Sequence, residues 1–182
     1  MRKFILLSFS AVMYCVFTGC NSASPEKYFD VAVLSANSMQ GFAGEGMWRE
    51  LESPSVKMID GDINKSTPMK RKEIVDSKIE SIEPNLEELE QLKETGDTKD
   101  ILQAAIALHK YVLPVYKNEY QQLAKLYDEN AAKETIQAYT RSIYDKYFST
   151  FAALHDKLTA AGKVYAEKHK IKVNWDIHTS PQ

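Results

Sequence analysis

Apolar residues recur every three or four positions along most of the chain, a spacing typical of helices that bury one face. These stretches predict four helices, at about 25–52, 68–94, 98–127 and 131–169. The third helix carries the longest apolar stripe and a second one beside it, so a broad face of it should be buried. The longest stripe consists of Leu102, Ile106, His109, Leu113, Tyr116, Tyr120, Leu123 and Tyr127.

The connections after the second and third predicted helices are very short. Asp97 or Thr98 is expected to cap the third helix and Asn130 the fourth, since these residue types are favoured at helix N-termini. Turns of this length force neighbouring helices to run antiparallel. The sequence therefore predicts an all-α fold, an elongated up-down four-helix bundle with kinked helices.

Glycine and proline mark where the predicted helices should begin, bend or break. Residues 53–66 are predicted to form a loop, after which Thr67-Pro68 gives the cap-then-proline signal of a helix start. Kinks are expected near Pro84 and Pro114, because proline cannot complete the helical hydrogen-bond pattern. The first helix should bend or break at its three glycines, Gly41, Gly44 and Gly46.

The end of the chain, residues 171–182, is predicted to be a short extended tail. Ile171, Val173, Trp175 and Ile177 alternate there with polar residues, as in a half-buried strand. One such segment cannot form a sheet alone. Two interpretations remain open: Trp175 packs back against the bundle, or the tail offers a strand to a partner.

The beginning of the chain has a different composition from the rest. Arg2 and Lys3 precede an apolar stretch, Phe4 to Phe17, that contains no charged residue. This stretch is shorter than the roughly 20 residues that a membrane-spanning helix needs, and its length is typical of an export signal. It ends in Thr18-Gly19-Cys20. This ending resembles the signal of bacterial lipoproteins, in which an apolar residue, two small residues and a cysteine close the apolar region.

The resemblance implies cleavage between Gly19 and Cys20 and attachment of diacylglycerol to the Cys20 sulfur. The chain then divides into a signal peptide (1–19), a lipidated tether (20–24), a helical bundle domain (25–170) and the tail. Asn21, rather than aspartate, follows the cysteine. In the lipoproteins that this signal resembles, that difference implies the outer membrane. Some bacteria export lipoproteins to the outer face by means of an acidic run after the cysteine, and Asn21-Ser22-Ala23-Ser24 contains none, which favours the periplasmic face.

The charges give little sign of a polyanionic partner. Lys and Arg number 23 against 25 Asp and Glu, so bulk positive charge does not favour nucleic-acid binding. A local cluster of basic residues nevertheless surrounds the start of the second predicted helix. It forms either a solvated surface or a patch that contacts an acidic envelope partner; its residues are Lys65, Lys70, Arg71 and Lys72.

No motif predicts catalysis, a metal or a cofactor. The chain lacks Gly-x-Ser-x-Gly, His-Glu-x-x-His and Gly-Lys-Ser/Thr sequences, which mark common hydrolases and phosphate-binding loops. Asp60-Gly61-Asp62 resembles the opening of a calcium loop, but the later ligand positions hold Lys65 and Arg71. His109 and His155 are expected at different levels of the bundle, so they should not share a metal, and His109 should be a hydrogen-bonded core residue.

Tyrosines are concentrated on the third and fourth predicted helices. Eight of the ten lie between Tyr111 and Tyr165 and should form a shared aromatic seam, with Glu119 and Gln122 available to their hydroxyl groups. The seam is either core or a ligand groove. The sequence therefore predicts a lipid-anchored envelope protein with a structural or protein-interaction role. The alternative is a binding module that holds a small apolar ligand or haem along the seam.

Overall fold

The computed structural model describes residues 23–59 and 62–175, which are mostly helical with one two-stranded hairpin. The all-α fold class is confirmed. The predicted signal peptide, Cys20, Asp60-Gly61 and the end of the tail from residue 176 lie outside the described residues. The elements are α1 (Pro25–Ala32), a 3-10 helix (Leu34–Met39), α2 (Glu45–Glu52), β1 (Val56–Ile59), β2 (Asp62–Pro68), α3 (Arg71–Gln91), α4 (Lys99–Val115), a π-helical turn (Tyr116–Tyr120), α5 (Gln121–Asp128) and α6 (Lys133–His169).

The first predicted helix is broken where its glycines predicted a break. Gly41 has a φ of 79°, a left-handed conformation that disfavours any residue with a Cβ atom. A Cβ atom built on Gly46 would lie 2.9 Å from the Gly41 Cα, so the two glycine backbones are in direct contact. The Gly41 carbonyl also accepts from the Gly44 and Met47 amides, so this contact closes a tight turn between the 3-10 helix and α2.

The predicted loop at residues 53–66 was wrong, because most of it forms an antiparallel hairpin. Val56 pairs with Pro68 and Met58 with Ser66, and the register shifts between Met58 and Ile59. Thr67-Pro68 belongs to β2 rather than to a helix start, and α3 begins only at Arg71. The backbone of Val56 to Ile59 pairs with β2, but all four residues of the strand are exposed.

The two proline positions behave differently. α3 runs unbroken from Arg71 to Gln91 through Pro84. After Pro114, by contrast, the α-helical pattern gives way to the π-helical turn, where the Asn118 side chain donates a hydrogen bond to the Pro114 carbonyl at 2.7 Å. Proline removes one helical donor, and π-helical geometry, which is rare, occurs mostly as single turns of this kind inside α-helices.

The predicted N-cap at Asn130 was wrong. Asn130 has a φ of 55° and ends α5 instead: it lies in the left-handed region that asparagine tolerates. The next amide, of Ala131, donates to the Leu126 carbonyl at 2.9 Å, the bond that closes a helix C-terminus of this kind. Ala132 then occupies the N-cap position of α6. At the start of α4, Thr98 occupies the cap position, but its side chain bonds Thr95.

α4 packs antiparallel against α6, as the short turn between the third and fourth predicted helices led us to expect. The Tyr111 hydroxyl donates to the Tyr147 carbonyl at 3.2 Å, and their ring centroids are 6.2 Å apart. At the other end of α6, Gly162 admits the Val33 side chain. Trp175 packs edge-on against Phe29 with the centroids 6.0 Å apart, so the described part of the tail is held against the helices.

The contact between the two glycines yields a stability prediction. Gly46→Ala should lower the free energy of unfolding by about 1–3 kcal/mol, because the new methyl group meets backbone that cannot move aside cheaply. Urea denaturation measures this. Gly96→Ala is the matched control: nothing lies within 4 Å of its added Cβ atom, so the free energy should be unchanged or slightly raised. Equal destabilisation by both substitutions would contradict the assignment.

Candidate functional site

His109 is a buried core residue, as predicted. Its Nδ1 donates to the Ala105 carbonyl at 2.8 Å, since a carbonyl oxygen only accepts, and Nε2 lies 3.4 Å from the Ser35 hydroxyl. Burial lowers the pKa of the ring below its ordinary value of 6.5, and the bond to Ala105 opposes that shift. His155 contacts the Phe151 ring elsewhere on α6. Within residues 23–59 and 62–175, no group of three His, Cys, Asp or Glu side chains could hold a metal ion.

The centre of the tyrosine seam is packed as core. Tyr116 and Tyr120 are fully buried and stacked with their centroids 4.8 Å apart, and Phe42 packs edge-on against both rings. The Ala43 amide donates to the Tyr120 hydroxyl at 2.9 Å. Burial raises the pKa of both phenols, so both stay neutral. Side chains therefore occupy the space that a ligand in this part of the seam would need.

Glu119 joins the outer part of the seam, as predicted. Its carboxylate accepts hydrogen bonds from the hydroxyls of Tyr139 and Tyr147, both at 2.7 Å, and lies 3.3 Å from the Lys146 ammonium group. The bond from Tyr139 is the largest of the interactions that lower the pKa of Glu119. Burial, followed by the bond to Glu119, raises the pKa of Tyr139 to about 12. This network fastens the π-helical turn to α6.

The four predicted patch residues do not form one free basic surface. Lys65 pairs with Asp62 at 3.0 Å on β2, and Lys72 pairs with Asp76 at 2.6 Å on α3. Arg71 turns inward: its Nε donates to the Leu51 carbonyl at 3.1 Å, and its guanidinium lies 5.7 Å from the centroid of the Tyr127 ring. Arg71 therefore has a structural role between α2, α3 and α5.

Lys70 and Lys72 instead line a groove with two lysines that the sequence reasoning missed, Lys117 and Lys125. The groove has a volume of about 680 Å³. Its floor includes Asp128, whose carboxylate accepts from the Arg71 amide at 3.0 Å and the Lys72 amide at 3.1 Å and so caps α3. Lys117 and Lys125 also pair with carboxylates, those of Glu83 and Glu129. We call this surface the lysine groove.

A second cavity, of about 480 Å³, lies between α2 and the first half of α6. Two aromatic side chains, a carboxylate, a guanidinium, an amide and a hydroxyl line it. We call it the α2–α6 cavity; its lining residues are Trp48, Glu52, Tyr127, Gln137, Ala138, Thr140 and Arg141. Of the described buried side chains, Trp48 and Thr140 have polar atoms, Nε1 and Oγ1, without a hydrogen-bond partner.

The hairpin presents the most exposed apolar residues of the described chain apart from Val164. Val56 is 63% exposed and Met58 is 66% exposed. Since successive side chains of a strand point to opposite faces, these two residues share one face of the hairpin. Lys57 lies on the other face and pairs with Glu73, which ties the hairpin to α3.

The chain matches no described protein family, no curated protein and no solved structure. Across the described ranges, no helix combines the length and the apolar character required to cross a membrane.

The buried histidine predicts a pH dependence of stability. Because its pKa is lower in the folded state, the unfolded chain binds more protons below pH 6.5, and stability falls as pH falls from there. His109→Gln removes this contribution. The free energy of unfolding, measured by urea denaturation, should then decline less between about pH 7 and pH 5 than in the wild type. His155→Gln is the control. If it reduces the decline of the free energy of unfolding with pH as much as His109→Gln does, the pH dependence does not come from His109.

Proposed function

We propose that this protein is anchored by lipid on Cys20 to the bacterial cell envelope, where it binds another envelope protein. The lipid anchor rests on the sequence of the signal: Arg2 and Lys3, the uncharged apolar stretch, then Thr18-Gly19-Cys20. Each buried CH₂ group of an acyl chain contributes about 0.8 kcal/mol, so two or more chains anchor a domain stably. Asn21 supports the outer membrane and the periplasmic face as the location.

The interaction role is carried by one observation, the exposed apolar face of the hairpin. Val56 and Met58 cost free energy when left in water, and a partner that covers them removes that cost. Among residues 23–59 and 62–175 the hairpin forms a two-stranded sheet, so the outer edge of each strand can pair with a strand from a partner. We propose a binding rather than an enzymatic role for this surface.

We further propose that the helices form an elongated up-down four-helix bundle. In this arrangement the broken segment from α1 to α2 is the first helix and α3 the second. The third runs from α4 through the π-helical turn to α5, and α6 is the fourth. The packing of α4 against both α3 and α6, and of α1 against α4 and α6, supports this grouping.

Removal of the lipidated cysteine tests the anchor. Cys20→Ser in the full chain should release the protein from the membrane fraction into the soluble envelope fraction and abolish incorporation of labelled palmitate. Cys15→Ser is the matched control, because Cys15 lies within the predicted signal and takes no lipid. The anchor is refuted if the wild-type chain takes up no palmitate, or if Cys20→Ser still takes it up.

Site-specific crosslinking in the envelope tests the partner. A photoreactive residue at Met58 should give a discrete crosslinked product, which the double substitution Val56→Ser with Lys57→Glu should weaken at least several-fold. That pair of changes removes an apolar contact and the ion pair that ties the hairpin to α3. The product is identified by mass spectrometry.

Charge reversal at the lysine groove separates the two candidate partner surfaces. Substituting glutamate at three of its positions should leave the Met58 crosslink intact. If this groove variant loses the crosslink while the double substitution Val56→Ser with Lys57→Glu retains it, the result contradicts the hairpin as the partner surface and favours the groove. The groove variant carries Lys70→Glu, Lys117→Glu and Lys125→Glu. A control of equal charge change, on exposed lysines elsewhere, carries Lys99→Glu, Lys133→Glu and Lys157→Glu.

A further inference from the structure

The α2–α6 cavity has the size and lining of a small-ligand site. Its volume of about 480 Å³ lies within the range of about 300–1,000 Å³ that is usual for ligand pockets. Trp48 and Tyr127 supply aromatic surface, while Gln137 and Thr140 supply groups that both donate and accept hydrogen bonds. The lining comes from three helices, α2, α5 and α6, so a ligand there would contact parts of the chain that are distant in sequence.

Two polar atoms of this lining lack partners although they are shielded from solvent. Thr140 is 8% exposed and its Oγ1 forms no hydrogen bond in the described structure, and the same holds for the indole Nε1 of Trp48. A buried donor without a partner costs about 1–3 kcal/mol. Two such groups on residues that line one cavity therefore point to a ligand that satisfies them.

Opposite charges also line the cavity. Glu52 on α2 and Arg141 on α6 are both exposed to solvent, and neither forms an ion pair with another of the residues that the structure describes. Burial is the largest cause that raises the pKa of the Tyr127 phenol, and the negative charge of Glu52 is the second. A cavity that presents one free carboxylate and one free guanidinium complements a ligand that carries both charges.

We propose that the α2–α6 cavity binds a small zwitterion, an amino acid or a short peptide. Arg141 pairs with the ligand carboxylate, Glu52 accepts from its ammonium group, and Trp48 and Tyr127 contact its side chain. Thr140 and the Trp48 indole hydrogen-bond to the ligand after small rotations toward the cavity, since neither atom touches solvent in the free protein. This site is independent of the lipid anchor and of the hairpin.

Other ligand classes fit the lining less well. A simple anion in the α2–α6 cavity would be repelled by the Glu52 carboxylate. The lysine groove, which presents four lysines, suits such an anion better. A purely apolar ligand would leave the two buried polar atoms of Trp48 and Thr140 without partners and would gain nothing from the two exposed charged groups. A neutral sugar would satisfy the hydrogen bonds but would gain no ion pair with Glu52 or Arg141.

Tryptophan fluorescence tests the proposal directly, because the chain contains only Trp48 and Trp175. In the full-length protein with Trp175→Phe, purified in detergent, all tryptophan emission comes from Trp48. At least one of the standard L-amino acids other than tryptophan and tyrosine, or the dipeptide alanyl-leucine, should shift this emission saturably at millimolar concentration or below. N-acetylation of that ligand, which removes its ammonium charge, and amidation, which removes its carboxylate, should each weaken binding about tenfold or more.

Substitutions in the lining separate binding from folding. Thr140→Val replaces the hydroxyl by a methyl group of similar shape. It should leave the urea midpoint unchanged or raised, because it removes an unpaired buried group, yet weaken binding about tenfold. Glu52→Gln and Arg141→Gln should each weaken binding of the zwitterion, while Glu167→Gln and Lys157→Gln, exposed on α6 far from the cavity, should not.

Three results would overturn the proposal. No probe shifts the Trp48 emission at millimolar concentration; the N-acetylated and amidated ligands bind as tightly as the zwitterion; or glucose, tested beside the amino acids, binds where they do not. Failure of the lipid or crosslinking experiments would leave this outcome unaffected, since the fluorescence measurement needs neither membrane nor partner.

Discussion

The hydrogen bond from the Ala43 amide to the Tyr120 hydroxyl holds together the part of the structure on which both the core and the α2–α6 cavity depend. Ala43 has a φ of 51°, a left-handed conformation that costs an alanine roughly 1–2 kcal/mol. Such a conformation persists only where its surroundings fix it. Here Phe42 is inserted against Tyr116 and Tyr120, and the buried hydroxyl of Tyr120 satisfies the Ala43 amide that would otherwise be unpaired.

The position of α2 follows from this turn. The backbone contact between Gly41 and Gly46 directs α2 away from the 3-10 helix, which brings Trp48 over α6, edge-on to Tyr144 with the ring centroids 6.1 Å apart. A straight first helix would have carried Trp48 away from α6. The break in the helix therefore creates one wall of the cavity, and the buried phenols keep that wall in place.

Periodicity predicted the long helices well because their burial is regular. The antiparallel register of α4 against α6, the buried His109 and the partnership of Glu119 with tyrosine hydroxyls all follow from apolar spacing and a short turn. The hairpin was missed although Asp60-Gly61, a pair typical of hairpin turns, stands in the middle of the predicted loop. Its strands are exposed, so the usual signal of a buried strand face was absent.

The sequence did not predict the direction in which individual side chains point or the contacts they make with residues distant in the chain. Arg71 was predicted to be one of four surface cations. Its side chain instead contacts the Leu51 carbonyl and the Tyr127 ring. These contacts depend on how α2 and α5 pack against α3, which the helical pattern does not show. The same holds for Thr140, whose unpaired hydroxyl has no signature in a helical pattern. Lys117 and Lys125 lie on the polar side of the third predicted helix, where charged residues are expected. Only the structure shows that they line a groove with Lys70 and Lys72.

Arg71 separates the two cavities and belongs to the walls of neither. Tyr127, under its guanidinium, lines the α2–α6 cavity, while Asp128, which accepts from its amide, lines the lysine groove. Its side chain also holds the Leu51 carbonyl, one residue before Glu52. Replacing Arg71 by glutamate would therefore place a carboxylate against a carbonyl and beside Glu52, and would disturb both surfaces at once. Only substitutions that leave Arg71 intact can tell whether the groove and the cavity act separately.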